Sequence, residues 1–362
     1  MAAASAVDRP LFSPARLQGI DLARGIAVIG MLAAHLVYLA EWDWRDPGTW
    51  TDVANGRSSI LFATLAGVSI ALVTGGASRP APGRELGRAR RALALRALLL
   101  WLIGLVLIAT QVPAFIILPT YAVLFLLALP LLRLRARTLW IVAAGLAATM
   151  PWIEPLLDGL PVWRGEQGAM LMLVAGWHYP FPVWAVFVVA GLAAGRSGLG
   201  RPRTAWTLLA AGAALAALAY GADALRTALH PAGGRSYLDA ALAARPHSGG
   251  LLEVFGGGGL ALAAIGLCLL LCRVRPVGAV LLPLRAVGSM PLTAYVGQII
   301  AWVLVAALVL GDVRDLQGMR NLQPFWPFAG ATIMFCTAWG LRWGRGPVER
   351  LLAWVTRWVL PR

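Results

Sequence analysis

The chain has 362 residues, of which 59% are hydrophobic and only 13% charged, with 40 glycines. Soluble domains average roughly 45 to 50% apolar and about 25% charged residues, so an ordinary water-soluble enzyme is excluded. The formal net charge of +15, carried by 31 basic residues that are all arginine, would point to nucleic acid in a soluble protein; in a membrane chain it reads as topology, and no nucleic-acid partner is expected.

In chain order, residues 1 to 16 carry Arg9 and Arg16 but no separate apolar core or small-residue cleavage site, so no removable signal peptide is expected. A span needs about 20 apolar residues. Apolar runs between arginine clusters predict spans near 22–41, 59–76, 93–111, 114–132, 138–157, 181–195, 204–224, 249–272, 287–310 and 325–344. Two pieces, 168–176 and 276–284, are too short to cross alone and read as re-entrant or interfacial. The tail 346–362 sets Arg350, Arg357, Trp354 and Trp358 among leucines and valines, the pattern of an amphipathic helix lying on the membrane surface. The expected fold is therefore an all-α, polytopic transmembrane helix bundle of about ten spans. It forms one integral-membrane domain over 1–345, with the amphipathic tail over 346–362 and no internal repeat.

Sorting the arginines by side orients that map. One side holds 23, including the run Arg79, Arg84, Arg88, Arg90, Arg91 and Arg96, and the other keeps 8, among them Arg45, Arg235 and Arg314. The positive-inside rule then places both termini in the cytoplasm of a cell that is expected to be bacterial. Acidic residues run the other way: Asp8, Asp21, Glu85 and Glu349 are inside, and the remaining 12 of 16 lie at or near the outer face. Tryptophans mark the predicted span ends, Trp42, Trp44, Trp50, Trp163 and Trp177 outside and Trp339 and Trp343 inside. Cys268, Cys272 and Cys336 lie inside apolar runs, which offers neither a disulfide framework nor a metal motif.

Ionisable side chains within spans are costly and mark candidate sites. The first span holds Asp21, Arg24 and His35. At about 100° per residue, Arg24 and His35 fall about 20° apart around the helix axis, with Asp21 about 60° from Arg24 and His35 roughly 16 Å further along. An interfacial ion pair with a histidine bonded to a neighbouring helix fits this stripe. So does a charged anchor leading to a proton-transfer group, since histidine titrates near neutral pH.

The run R-x-x-x-x-D-x-x-R-G-I-A from Arg16 to Ala27, followed by GRSSILFATLAGVSIAL from Gly56 to Leu72, resembles the heparan-alpha-glucosaminide N-acetyltransferase family and its bacterial relatives of unknown function. HYPFPVW followed by AGLAAGR, RPHSGGLLEVFGGGGLALAAIGLCLLL and AVGSMPLTAYVGQII extend that resemblance to Ile300. Arg24 and His35 also stand in the R-x(10)-H spacing of acyltransferase family 3. The resemblance implies a membrane acyltransferase. It takes an acyl group, acetyl foremost, from cytoplasmic acyl-CoA as co-substrate, with no bound cofactor and no metal, and passes it to a glycan, lipid or other cell-envelope acceptor.

Carried over residue by residue, the resemblance makes His35 the catalytic histidine, Arg24 the motif arginine on the donor's anionic end, and Asp21 the acid that orients Arg24. Arg57 joins the donor-binding candidates. Thr293, Tyr295, Gln298, His178, His247 and Glu253 are substrate-binding candidates, although polar residues also glue membrane helices. The animal enzymes carry asparagine at the position of His35 and a histidine in the loop after the first span. Here the loop from Glu41 to Ser59 has none. Either His35 takes the role, or the chemistry differs or is lost.

His230 in LHPAGG reads as solvated, and the Arg79 to Arg96 stretch suits either a nucleotide or anionic lipid. The run Gly256 to Gly259 fits close helix packing or a local break beside a cavity. Buried Arg24 and Glu253 leave open a transporter or flippase for an anionic or glycolipid substrate, and a non-catalytic member of the fold is the third reading.

Overall fold

The computed structural model describes residues 16–40, 42, 43, 45–230 and 236–360, and among these every regular element is helical. Of the residues used above to orient the chain, Asp8, Arg9, Trp44 and Arg235 lie outside the described residues, as does Glu41. The α-helices are α1 (Gln18–Leu36), α2 (Arg57–Val73), α3 (Arg84–Ala109), α4 (Leu118–Ala128), α5 (Ala136–Asp158), α6 (Gly165–Ala175), α7 (Phe181–Arg196) and α8 (Pro202–Leu229). They continue as α9 (Tyr237–Leu242), α10 (Leu251–Leu271), α11 (Arg275–Val280), α12 (Leu282–Ser289), α13 (Pro291–Val305), α14 (Leu316–Asn321), α15 (Phe325–Trp343) and α16 (Pro347–Val359).

Among the described residues, seven helical segments are long and apolar enough to cross a membrane: α1, Pro47–Val73, α3, α5, α8, α10 and Pro291–Leu310. Two shorter apolar helices, Leu118–Arg133 and Phe181–Arg196, fall on the fourth and sixth predicted runs, and α15 falls on the tenth. The protein is an integral membrane protein. One predicted run is divided. The stretch 287–310 breaks at Met290, whose φ of −137° and ψ of 56° separate α12 from α13. Pro291 is the cause, because its ring disfavours helical geometry at the preceding residue while suiting the first position of a new helix. The short pieces 168–176 and 276–284 become α6, α11 and the start of α12.

The chain divides into two compact units. The first comprises residues up to 58, 110–114 and those from 267 onward. In it α1 packs on α12, α13 and α15. Its tightest crossing is made by glycines: a methyl group on Gly288 would strike the backbone of Asp21 and Gly25, and one on Gly25 would strike the carbonyl of Leu284. Small residues let helix backbones approach in this way where no hydrophobic effect drives association. On α16, Leu351, Trp354 and Trp358 recur at helical spacing and are exposed, while Leu352 is buried. This is an amphipathic helix with its apolar face outward.

The second unit comprises residues 59–109 and 115–266. Here α2 and α7 meet through Gly67, Gly191 and Gly195, each lying against the other helix. The four-glycine run leaves α10 unbroken and serves packing: Gly259 lies against the backbone of Gly212 in α8, and Gly256 lies under the ring of Tyr220.

Candidate active site

Asp21 stands in the first turn of α1, where a negative charge complements the helix dipole. It is buried at 4% exposure. Its carboxylate accepts from the Arg16 side chain, through Nε and also through Nη2 at 3.1 Å, and from Arg24 Nη1 at 3.3 Å. Arg16 Nη2 also donates to the carbonyl of Ser289 at 3.4 Å, which ties the cluster to the end of α12. Two half-buried guanidinium groups thus converge on one buried carboxylate, and their planar donors are of the kind that binds anionic groups. Arg285 of α12 is buried as well, its Nη1 donating to the carbonyl of Gly278 at 2.6 Å.

His35 lies in the last turn of the same helix. Eleven residues on from Arg24, it stands about 16 Å away along the same face. Its ring lies 6.3 Å from that of Trp302, a fully buried residue of α13. The backbone there is held from α14: Arg320 Nε donates to the His35 carbonyl at 3.0 Å and its guanidinium lies over the ring of Tyr38, whose hydroxyl donates to Asn321 at 3.0 Å. Neither Arg320 nor Trp302 stood out in the sequence. Arg320 reads there as one loop arginine among several, and Trp302 is lost in an apolar run.

In the second unit His178, His247 and Glu253 come together around Tyr179. The His178 ring stacks on Phe115 at 4.0 Å, the Tyr179 hydroxyl donates to the Phe115 carbonyl at 3.3 Å, and His247 meets the edge of Tyr179 at 5.6 Å. Glu253 accepts from the backbone of His247 at 2.6 Å, the backbone of Gly249 at 2.7 Å and the Ser248 hydroxyl at 3.1 Å. The carboxylate therefore folds its own preceding loop, and His247 adopts a left-handed φ of 61° within it. Both imidazoles lie outside the spans; His178 is half-buried, and its desolvation pushes it below the usual histidine range, whereas His247 is exposed. Burial also raises the Tyr179 phenol. Glu154 of α5 is buried near Gly249, and Asp158 one turn later accepts from Trp177 Nε1 at 2.8 Å. These acids were counted in the sequence only as outer-face charges.

The remaining candidates have local partners. Arg57 Nη1 donates to the carbonyls of Asp52 and Asn55 and lies 3.6 Å from the Asp52 carboxylate. Glu349 of α16 accepts from the backbone of Leu292 at 2.8 Å, the backbone of Thr293 at 3.1 Å and the Thr293 hydroxyl, capping α13. Gln298 Nε2 reaches Thr332 Oγ1 of α15 at 3.5 Å, and Tyr295 is buried in α13. His230 is exposed at the C-terminus of α8.

The described residues thus form an all-helical integral membrane protein with two arginines around a buried carboxylate, and a histidine on the same face, at its first helix. The family model for heparan-alpha-glucosaminide N-acetyltransferase, catalytic, matches residues 16–225, more than half of the chain. The chain belongs to that family, which suggests a membrane acetyltransferase-like function. A second family model, described as a protein of unknown function (DUF418), matches residues 201–359. No curated protein matches the chain.

Proposed function

We propose that the protein is a membrane acyltransferase that takes an acyl group, most simply acetyl, from acyl-CoA on the cytoplasmic side and passes it to a glycan, lipid or other envelope acceptor. The observation that carries this reading is the α1 stripe: the Arg16, Asp21 and Arg24 cluster at one end and His35 at the other, within a segment that the acetyltransferase family model covers. In this reading ten helices cross the membrane and both termini are cytoplasmic, which the arginine distribution supports.

The chemistry follows from the side chains. The guanidinium groups of Arg24 and Arg16 hold the anionic end of the donor, and Asp21 keeps both in place. The separation of about 16 Å along α1 is comparable with an extended pantetheine arm, which brings the thioester toward His35. The neutral imidazole takes the proton from an acceptor amine or hydroxyl as its lone pair attacks the thioester carbonyl. The carbon–sulfur bond then breaks and coenzyme A leaves as thiolate, which is protonated. An acyl-imidazole formed first on His35 is the two-step version of the same transfer. Glu253, which accepts three hydrogen bonds from its own loop, weighs against a carrier that loads its cargo on that acid.

The test is label transfer from radioactive acetyl-CoA into lipid and glycan extracts of membranes carrying the protein. His35→Ala should lower incorporation by about 10²-fold or more, the contribution of a positioned general base, with unchanged protein yield. Full activity in that variant would remove His35 from the mechanism.

A further inference from the structure

A cavity of about 560 Å³ opens between α13, α15 and the start of α16. It is nearly all apolar, with Thr293, Gln298 and Thr332 as its polar exceptions. Along α13 it runs from Thr293 to Ala301 and along α15 from Pro327 to Cys336, a length of about 12 to 14 Å at 1.5 Å per residue. That is close to one leaflet, half of the roughly 30 Å hydrocarbon core.

Gly297 lies within this lining, and a methyl group built on it would meet no protein atom within 4 Å. Glycine weakens a helix interior, and here no neighbouring helix requires its smallness. Pro347 and Val348, at the start of α16, also line the groove. Arg345 and Arg350 stand two residues away in sequence, on the segment whose exposed Leu351, Trp354 and Trp358 suit the interface of a bilayer.

We propose that this groove is a binding site for an anionic membrane phospholipid, with one acyl chain lying between α13 and α15 and the headgroup phosphate at Arg345 and Arg350. The chain matches the apolar walls and the leaflet-deep length, and the phosphate matches the arginines that flank Pro347 and Val348 in sequence. The site is separate from the α1 stripe and does not depend on acyl transfer.

The test uses the full chain in nanodiscs containing phosphatidylglycerol with a photoactivatable group on its acyl chain, compared with phosphatidylcholine labelled in the same way, and maps adducts by peptide mass. Adducts should concentrate on 293–301 and 327–336, with phosphatidylglycerol favoured by about five-fold, a preference of the size that two basic side chains near a headgroup can supply. Gly297→Leu should abolish those adducts without lowering thermal stability, and Ala331→Leu serves if that variant does not fold. Arg345→Ala with Arg350→Ala should equalise the two lipids. Labelling spread evenly over the lipid-facing helices, or unchanged in both filling variants, would overturn the proposal. So would cross-linking of a second copy of the chain through a cysteine placed at Gly297.

Discussion

Asp21 is the residue on which the first helix depends. A buried carboxylate between two arginines is stable only as a set, because removing one member leaves the other charges in a medium that solvates them poorly. Arg16 and Arg24 keep 25% and 16% exposure, respectively. Asp21→Asn should therefore cost about 2 to 3 kcal/mol, somewhat less than the roughly 3 to 5 kcal/mol of a fully buried pair, seen as a lower melting temperature in detergent. Half-buried His178 predicts an acid response. Its desolvation holds the imidazole below the ordinary histidine value, so the unfolded chain binds the extra proton first. Its contribution is complete above the unfolded value, near pH 6.5, and is lost as pH falls through the folded value. Melting temperature should fall as pH drops below about 7, and His178→Gln should flatten that slope; an unaltered slope would assign the response to other groups. At this scale Asp21, Arg24 and His35 were legible because a charge in an apolar run stands out. The pairing of Asp21 with Arg16 was not, since Arg16 precedes the helix and only the fold turns its side chain back.

At the scale of elements, glycines and a single arginine do the joining. Gly288 meets the backbone of α1, so Gly288→Val should force the α1 and α12 crossing apart at a cost of about 1 to 3 kcal/mol or more, with loss of activity beyond the loss of folded protein. Arg196, at the end of α7, donates to the carbonyls of Ala71, Thr74, Gly76, Ser78 and Leu132 and to the Thr74 hydroxyl. Of these, Ala71 belongs to the last turn of α2, and its carbonyl also accepts from the backbone of Gly76 at 2.8 Å. Arg196→Ala leaves several buried acceptors unsatisfied at roughly 1 to 3 kcal/mol each, and limited proteolysis should then cut the 75–83 loop faster than in the parent. The helices themselves were legible from apolar runs. The division at Met290 was not read, although Pro291 signals it, because the apolar run continues across the proline. The four-glycine run fitted a break as well as a crossing until the backbone of Gly212 was found opposite Gly259.

For the molecule as a whole, the arginine distribution sets an orientation that chemical labelling can check. With Cys268, Cys272 and Cys336 replaced by alanine, a single cysteine at Gly87 should be shielded from an impermeant maleimide in intact cells and one at Gln317 should react. The reverse pattern would overturn the predicted orientation and with it the proposed cytoplasmic entry of an acyl donor. Replacing arginines of the 84–96 stretch by glutamine should weaken that bias step by step, because orientation is set by the number of positive charges near the span ends rather than by any one of them.

By itself the sequence determined that this is a helical membrane protein, which stretches of the chain are apolar, how its arginines divide among them, and that one helix face carries an acid, an arginine and a histidine. These properties depend on composition and on the helical period, which are local. Only the tertiary structure decided which of the polar residues hold other parts of the protein: Glu253 wrapped by its loop, Thr293 capped by Glu349, and Arg57 bound to Asp52. It also decided that Asp21 gathers two arginines at the crossing of α1 and α12 and that an apolar groove lies beside Gly297. A hydrogen bond or a cavity depends on which distant segment arrives opposite, and that is a property of packing with no counterpart in the local pattern.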